Sequence, residues 1–384
     1  MSEENMLQER LQLFKDAAQL KPTNRIPNVS NFYTWKILDS DSNYKLSEAM
    51  NDWDTMEKIV CEFADRYQFD AYLDLGTRNP IKITGALGTH FHEVDDEKES
   101  VNYYDHILMK GDEYEELNKN PLEFFWTKCM PRKFDNITVE RMKNAMFEFM
   151  SYGQYNGKMI EMFVTKYQAP QLFNASTVML HPYEMLFSNL RGIKEISLDL
   201  RKHKSKMLET LEILYQMNIQ PLLDNLLASD TSAYACDTYT AFLGHSILST
   251  KQFGEIYWPK LKKIIDVLAE NGKTMYIFCE SEMLRFYEYF QEVPKGCLVI
   301  HLEQDNIFEF RKKLPNICVS GGMTTDLLGT GTPQQCVDFA KKLVDELGRD
   351  GGYIFSQNKM MSFRNDCKRE NLLAVNDFIR NYRV

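Results

Sequence analysis

The chain has 384 residues, of which 44% are hydrophobic and 26% are charged, and its formal net charge is −10. This composition allows a large buried core and excludes a disordered or fibrous protein. The acidic balance and the lack of a Lys/Arg-rich run argue against nucleic acid as a partner, and without a run of eighteen apolar residues we expect no membrane span. The eight cysteines have no CxxC spacing, so we expect reduced thiols and a cytoplasmic protein.

The N-terminal part predicts a helical extension, two strands and a long polar insertion. The extension covers residues 1–27, and its start is charged and amphipathic, unlike a signal peptide. The strands are predicted in NVSNFYTWKIL and in DAYLDLG. Residues 77–135 show no periodicity, and we interpret them as an insertion near the mouth of the main fold, because long loops of this kind tend to be functional.

From residue 136 onward, predicted helices and strands alternate. Helices are predicted over 137–168, 183–217, 249–271 and 333–347, and strands in STVMLH, SAYACD, TMYIF, CLVIH, NICVSG and GYIFS. Short apolar strands that alternate with helices are typical of a parallel sheet buried on both faces. About eight of them favour a single (β/α)8 barrel domain over the whole chain. An open doubly wound sheet is the alternative, but neither GxGxxG nor GxxxxGK[ST] is present.

Groups that bind protons or metals stand where two neighbouring strands are predicted to end. Glu280 follows one strand and His301 ends the next. Because the carboxyl ends of barrel strands share one face, which holds the active site, we expect the two side chains to lie close together. Zinc accepts both carboxylate oxygen and imidazole nitrogen, so the pair is a candidate metal site. The alternative is a glutamate at a helix start and a hydrogen-bonded core histidine.

Three more candidates flank this pair in the sequence. Cys279 is the next possible metal ligand, although strand alternation would point it away from Glu280. Glu303 and Asp305 are predicted either to hold the imidazole of His301 from behind or to cap the helix that follows.

The remaining candidates come from more distant parts of the chain. His90 and His92 have the HxH spacing that lets both bind one metal from a strand, or else contact substrate from a polar loop. His181 and Asp237 are predicted to end two further strands at the same barrel face.

Several longer stretches resemble the uroporphyrinogen decarboxylase superfamily, whose fold is a (β/α)8 barrel. They are LRGIKEISLDL, IYWPKLKKIIDVLAENGKTMYIFCE and GGMTTDLLGTGTPQQCVDFAKKLVDELGRDGGYIF. DHILMKGDEYEELNKNP is similar to the corrinoid-methyltransferase-like branch. The arginine-rich RQAGR stretch of true decarboxylases is missing from NRIPNVSNFYTWKILDSD, which argues against decarboxylation of a porphyrinogen. The HxC pair of thiol-methylating members is replaced by Ile277-Phe278-Cys279.

The resemblance therefore implies the methyltransferase component of anaerobic O-demethylases. Such proteins move a methyl group from a methoxylated aromatic, a phenyl methyl ether, to cob(I)alamin on a corrinoid protein. Their zinc ligands include an E-x20-H element, which Glu280 and His301 match, whereas Ile265 occupies the place of a further glutamate. Zinc and a protein-borne corrinoid are the cofactors implied. The alternatives are a decarboxylase of another substrate and a non-catalytic binding protein of this fold.

Overall fold

A computed structural model describes residues 3–75, 81–89, 91–105 and 107–384. In this part of the chain, seven parallel strands form one sheet in the order β2-β1-β9-β8-β7-β6-β5, and two antiparallel strands form a separate hairpin. The strands are β1 (Asn28–Ser30), β2 (Ala71–Tyr72), β3 (His92–Asp95), β4 (Ser100–Tyr103), β5 (Thr238–Phe242), β6 (Met275–Cys279), β7 (Leu298–Leu302), β8 (Cys318–Met323) and β9 (Tyr353–Gln357). With helices packed around the sheet, the fold is the barrel type that the sequence predicts.

The helices differ widely in length. The helices of six residues or more are Glu3–Ala18, Leu46–Asn51, Trp53–Tyr67, Ile81–Ala86, Tyr114–Lys119, Val139–Thr165, Gly192–Lys202, Lys204–Leu214, Gln220–Ala228, Trp258–Glu270, Ile307–Lys313, Thr325–Thr330, Pro333–Leu347 and Arg369–Asn381. Shorter helices are Trp35–Leu38, Pro121–Phe124, Met130–Lys133, Pro182–Glu184, Thr250–Gln252 and Tyr287–Phe290, and π-helical turns cover Phe125–Cys129, Met185–Arg191, Tyr215–Ile219 and Phe253–Tyr257. Among the helices of the described residues, none combines the length and apolar content needed to cross a bilayer.

Helix Pro333–Leu347 shows how local sequence sets an element boundary. The side-chain oxygen of Thr332 accepts the backbone N–H of Gln335, and the Gln335 side chain accepts the N–H of Thr332. This reciprocal cap satisfies two donors that a helix start otherwise leaves open, and proline suits the first turn. The buried face consists of Cys336, Ala340, Leu343, Val344 and Leu347.

A segment of residues 171–179, which includes a short 3-10 helix at Ala175–Thr177, stands between β5 and β2 in place of a regular strand. The backbone N–H of Cys236 donates to Leu172 O at 2.7 Å, and the N–H of Met179 donates to Tyr239 O at 2.9 Å. The segment thus pairs with the β5 side of the sheet. Where it faces β2, it lines a cavity instead.

The N-terminal helix Glu3–Ala18 forms the floor of the barrel. Its buried side chains Leu11 and Phe14 belong to the same apolar cluster as residues of six sheet strands. The inward-facing members of that cluster are Val29, Ala71, Tyr276, Val299, Cys318 and Ile354. Alternate residues of the same strands, such as Ile277 and Ile300, pack outward against the helices.

The hairpin β3–β4 contacts loops that leave the carboxyl ends of β1 and β9. The Tyr103 and Tyr33 hydroxyls lie 3.3 Å apart, and Glu99 forms an ion pair with Arg364 at 2.5 Å. Residues 77–135 are therefore less irregular than predicted, since their described parts contain this hairpin and several short helices. Elements of four to six residues are too short to show periodicity in a sequence.

Most predicted elements after residue 136 are confirmed, with two exceptions. STVMLH begins inside a short 3-10 helix, Ala175–Thr177, and continues as extended chain. SAYACD is a turn that precedes β5, and the strand itself begins at Thr238. Both segments owe their conformation to the closure of the barrel, which no local pattern encodes.

Candidate active site

A cavity of about 490 Å³ opens at the seam between β2 and segment 171–179. It is enclosed by the end of β2, by helix Val139–Thr165, by residues 169–178 and by Tyr239 of β5. Its size falls in the range typical of small-molecule sites. The lining residues are Tyr72, Leu73, Asp74, Leu75, Tyr152, Asn156, Ile160, Phe163, Ala169, Pro170, Gln171, Leu172, Phe173, Ala175, Val178 and Tyr239.

Aromatic rings form two walls of this cavity. Phe173 stacks on Tyr239 with ring centroids 4.5 Å apart and planes 27° apart, and Tyr239 in turn stacks on Tyr276 inside the barrel. On the other side, Tyr72 and Phe163 pack edge to face at 4.5 Å. Such walls favour a flat, largely apolar ligand, because ring faces pack against planar groups.

A buried ion pair supplies charge at the edge of the cavity. Lys36 Nζ lies 2.9 Å from Asp74 Oδ2, and the two side chains are only 2% and 4% exposed. Asp74 lines the cavity just beyond the carboxyl end of β2. The rule about strand ends that selected His301 from the sequence would also have selected Asp74, which our sequence analysis missed.

Two buried amides near the carboxyl ends of β1 and β9 have side-chain atoms with no hydrogen-bond partner among the described residues. They are both polar atoms of Asn31 and the Nε2 atom of Gln357, whereas Gln357 Oε1 accepts the Asn31 N–H at 3.0 Å. Buried polar groups are nearly always satisfied in folded proteins. This end of the barrel therefore retains capacity to bind a further polar group or water.

His301 is a hydrogen-bonded histidine inside the barrel. Its Nδ1 lies 2.9 Å from the Tyr276 hydroxyl, and its Nε2 lies 3.0 Å from the backbone oxygen of Asn358. The ring also stacks on Phe278 at 4.7 Å. This matches the core-histidine alternative, and a metal would have to displace one of these bonds. Metal binding by His301 stays a prediction.

Glu280 is half-buried at the carboxyl end of β6, and its backbone N–H donates to Phe242 O at 3.0 Å. The next residue, Ser281, has a φ of +62°, an unusual conformation for a residue with a side chain. Glu303 Oε2 accepts the Ser281 N–H at 2.7 Å and so holds this turn. The carboxylate of Glu303 thus contacts the β6 loop, and its predicted role beside His301 stays a prediction.

Asp305 also holds the β6 loop. Its carboxylate accepts the Met283 N–H at 2.8 Å and the Tyr287 hydroxyl at 2.9 Å, and burial raises the pKa of its carboxyl. The helix that follows is capped by Asn306 instead. The predicted role of Asp305 as the cap of that helix is therefore wrong, whereas its role beside His301 stays a prediction.

Cys279 points to the outside of the barrel, away from Glu280. It is fully buried in the outer core, where its Sγ lies 3.5 Å from His245 Nε2. Burial raises the pKa of this thiol well above its usual value. Seven of the eight cysteines are buried, and all eight are free thiols.

His181 and Asp237 both have structural partners. His181 Nδ1 accepts the Tyr183 N–H at 3.1 Å, Nε2 contacts Tyr257 O at 3.1 Å, and burial lowers the pKa of the imidazole to about 3. Asp237 accepts the Thr274 N–H at 2.7 Å and pairs with Lys273. Because Asp237 precedes β5, it lies at the opposite end of the barrel from the strand ends, which corrects the prediction.

His92 begins β3 and is half-buried, with Nε2 3.4 Å from the Thr84 hydroxyl, and burial lowers the pKa of its imidazole. His90 lies outside the described residues. Within the described part of the chain, no three His, Cys, Asp or Glu side chains converge as a metal site requires. The zinc site therefore stays a prediction.

A buried acid, Glu184, was not among the predicted site residues. Its carboxylate accepts the N–H groups of Leu243 and Gly244 at 3.0 and 2.7 Å, and the Tyr257 hydroxyl at 2.7 Å. Burial raises the pKa of this carboxyl to about 7, and the nearby charge of Glu280 adds to the effect. No spacing in HPYE distinguishes this glutamate from a surface residue, so sequence reasoning had no basis for selecting it.

Comparisons with known proteins agree with this architecture. The structure of a methyltransferase from Methanosarcina mazei superposes with a TM-score of 0.60 at 12% sequence identity, over 97% of this chain and 98% of that chain. At that identity the likeness shows the fold alone. No protein of curated function is significantly similar in sequence. A family profile described as uroporphyrinogen decarboxylase (URO-D) matches residues 181–382, which is more than half of the chain. The chain therefore belongs to the uroporphyrinogen decarboxylase family, as the sequence motifs predict.

Proposed function

We propose that the protein is a methyltransferase that moves a methyl group from a methoxylated aromatic to cob(I)alamin carried by a separate corrinoid protein. The cavity beside β2 carries this proposal, since aromatic rings form its walls and its volume suits a small arene. The family and the barrel fold are consistent with it. The missing RQAGR stretch argues against a porphyrinogen substrate.

In this proposal, the chain binds the arene, excludes water and stabilises the departing oxygen. The stacked pair of Phe173 and Tyr239 holds the ring, and Tyr72 closes the opposite wall. As the ether C–O bond breaks, the electron pair of cobalt(I) forms the new bond to the methyl carbon, and the arene leaves as a phenolate. Phenolate is a poor leaving group, so positive charge near it lowers the barrier. Asp74 lines the cavity and Lys36 is paired with this carboxylate, so Lys36 would supply that charge if its ammonium group turned from Asp74 toward the departing oxygen.

No step of this proposal runs through a metal. The two hydrogen bonds of the His301 ring involve both of its nitrogens in this geometry, so zinc binding there would require one of these bonds to break. The corrinoid supplies the methyl acceptor when its carrier protein is bound.

A spectroscopic assay tests the proposal. The protein is mixed with a reduced corrinoid protein and a panel of methoxybenzoates and methoxyphenols. We expect the absorption of methyl–cobalt(III) to appear together with an equal amount of the corresponding phenol. The absence of both across the panel would contradict the proposed function.

Two adjacent substitutions test the cavity. Ala175 and Ser176 are both exposed neighbours in one turn, but only Ala175 lines the cavity. Ala175→Trp places a large ring at the entrance, so the KM for the arene should rise at least tenfold. Ser176→Trp, the matched control, should leave the KM unchanged. An equal response of both variants would place the arene elsewhere.

A further inference from the structure

Helix Val139–Thr165 carries an unusually apolar exposed face in its N-terminal half. The exposed apolar side chains are Val139, Met142, Met146, Phe147, Phe149 and Met150, and each is between 40% and 74% exposed. Lys143, which is also exposed, lies among them. We call the apolar residues the methionine–phenylalanine face. Monomeric proteins rarely leave such a contiguous apolar surface uncovered, and flexible methionines are common at binding surfaces.

The face is continuous with the wall of the cavity. Phe149, Tyr152, Asn156 and Ile160 follow one another at spacings of three, four and four residues, so they form one row along the helix. The last three line the cavity. Because a helix rises 1.5 Å per residue, Phe149 lies only about 10 Å along the axis from Asn156. A protein seated on the face therefore also meets the rim of the cavity.

The charged residues beside the methionine–phenylalanine face indicate that its partner binds mainly through apolar contacts. Glu140 and Glu148 lie near Arg141 and Lys143 on the same part of the helix, and Glu148 is paired with Lys82 at 3.2 Å, so two negative and three positive groups nearly balance. A balanced set of charges gives no strong electrostatic steering toward a charged surface, and an anionic membrane attracts helices rich in Lys and Arg instead. The occupant should thus be a protein with a matching apolar patch.

We propose that the methionine–phenylalanine face is the docking surface for the corrinoid-carrying protein. This inference rests on the proposed function, in which a methyl acceptor held by another protein has to reach the cavity. A second copy of the chain could also bind this face, but it would cover the cavity rim without bringing a methyl acceptor. The position of the face beside the cavity therefore favours the corrinoid protein as the partner.

The test compares two methyl acceptors. Free cob(I)alamin needs no docking, whereas the protein-bound corrinoid does. The variant Met146→Gln/Met150→Gln removes apolar contact without a charge and keeps residues that favour a helix. We expect its KM for the reduced corrinoid protein to rise at least tenfold, with transfer to free cob(I)alamin unchanged within twofold. Leu373→Gln, at a 39% exposed leucine of helix Arg369–Asn381, is the matched control and should change neither value.

The possible outcomes are distinguishable. An unchanged KM for the corrinoid protein in the double variant overturns the docking surface while the proposed function stands. A wild-type dimer that the double variant converts to a monomer in analytical ultracentrifugation, with the KM unchanged, assigns the face to a second copy of the chain. Wild-type protein that methylates neither acceptor overturns the proposed function, and the docking surface with it.

Discussion

The pairing of Lys36 with Asp74 places two opposite charges where water hardly reaches. Removing one partner of a buried pair leaves the other charge without this compensation, which typically costs about 3–5 kcal/mol. We therefore expect Lys36→Met to lower the free energy of unfolding by about that amount in urea denaturation. Lys158→Met is the control, because Lys158 forms a surface pair with Glu57 and is 62% exposed. Surface pairs contribute about 0–1 kcal/mol, so equal effects of the two variants would contradict the buried character of the first pair.

Substitution of His301 distinguishes a structural role of this side chain from a metal-binding role. Loss of its ring removes the bonds to the Tyr276 hydroxyl and the Asn358 carbonyl, and an unsatisfied buried group costs about 1–3 kcal/mol. We expect His301→Ala to lower the free energy of unfolding by that amount and to leave the zinc content per chain unchanged. Metal analysis of wild type, Glu280→Ala and His301→Ala decides the point. Zinc bound to wild type and lost from both variants would establish the predicted metal site and show that the His301 ring changes partners.

At the scale of single elements, the N-terminal helix serves as the floor of the barrel rather than as a surface extension. Phe14 is fully buried among inward-facing strand residues, and replacing a buried phenylalanine with alanine costs about 3–5 kcal/mol. We expect Phe14→Ala to lower the free energy of unfolding by this amount in urea denaturation. Phe147→Ala, at a phenylalanine that is 67% exposed, should change it by less than about 0.5 kcal/mol. Similar changes in the free energy of unfolding for the two variants would contradict a stabilising role of the N-terminal helix.

The elements also show which features a sequence encodes locally. Strands β6 to β9 and helix Pro333–Leu347 were predictable, because each combines a continuous apolar run or stripe with clear boundary residues. The path of segment 171–179 was not predictable, since it depends on hydrogen bonds to Tyr239 and to other residues far along the chain. The rule about strand ends led to Glu280 and His301, yet the cavity is built mainly from this irregular segment and from one helix. Side-chain direction at the end of a strand, as at Asp305, likewise depends on the neighbouring loop.

At the scale of the whole molecule, contacts from distant parts of the chain hold the ends of the barrel. The hairpin β3–β4 reaches Arg364, which lies beyond the last strand, and helix Glu3–Ala18 closes the opposite end. The cavity lies between these two ends at the seam of the sheet. Several cavity residues also belong to the core, since Tyr72, Phe163 and Leu172 line the cavity and pack in the buried clusters, so substitutions in this wall would affect stability as well as binding.

The pairing of the first sheet strand with the last has a consequence for biosynthesis. Val29 O accepts the Ser356 hydroxyl across 327 residues of chain. During translation, at about 5–20 residues per second, β1 is made long before β9 leaves the ribosome. The edge of β1 that faces β9 thus has no partner until synthesis is nearly complete, and until then the first helix can contact only the earlier members of its cluster, such as Ala71 and Leu172. Contacts this far apart in sequence form slowly, and exposed strand edges aggregate, so β1 is the strand of the sheet whose edge is at risk longest during synthesis.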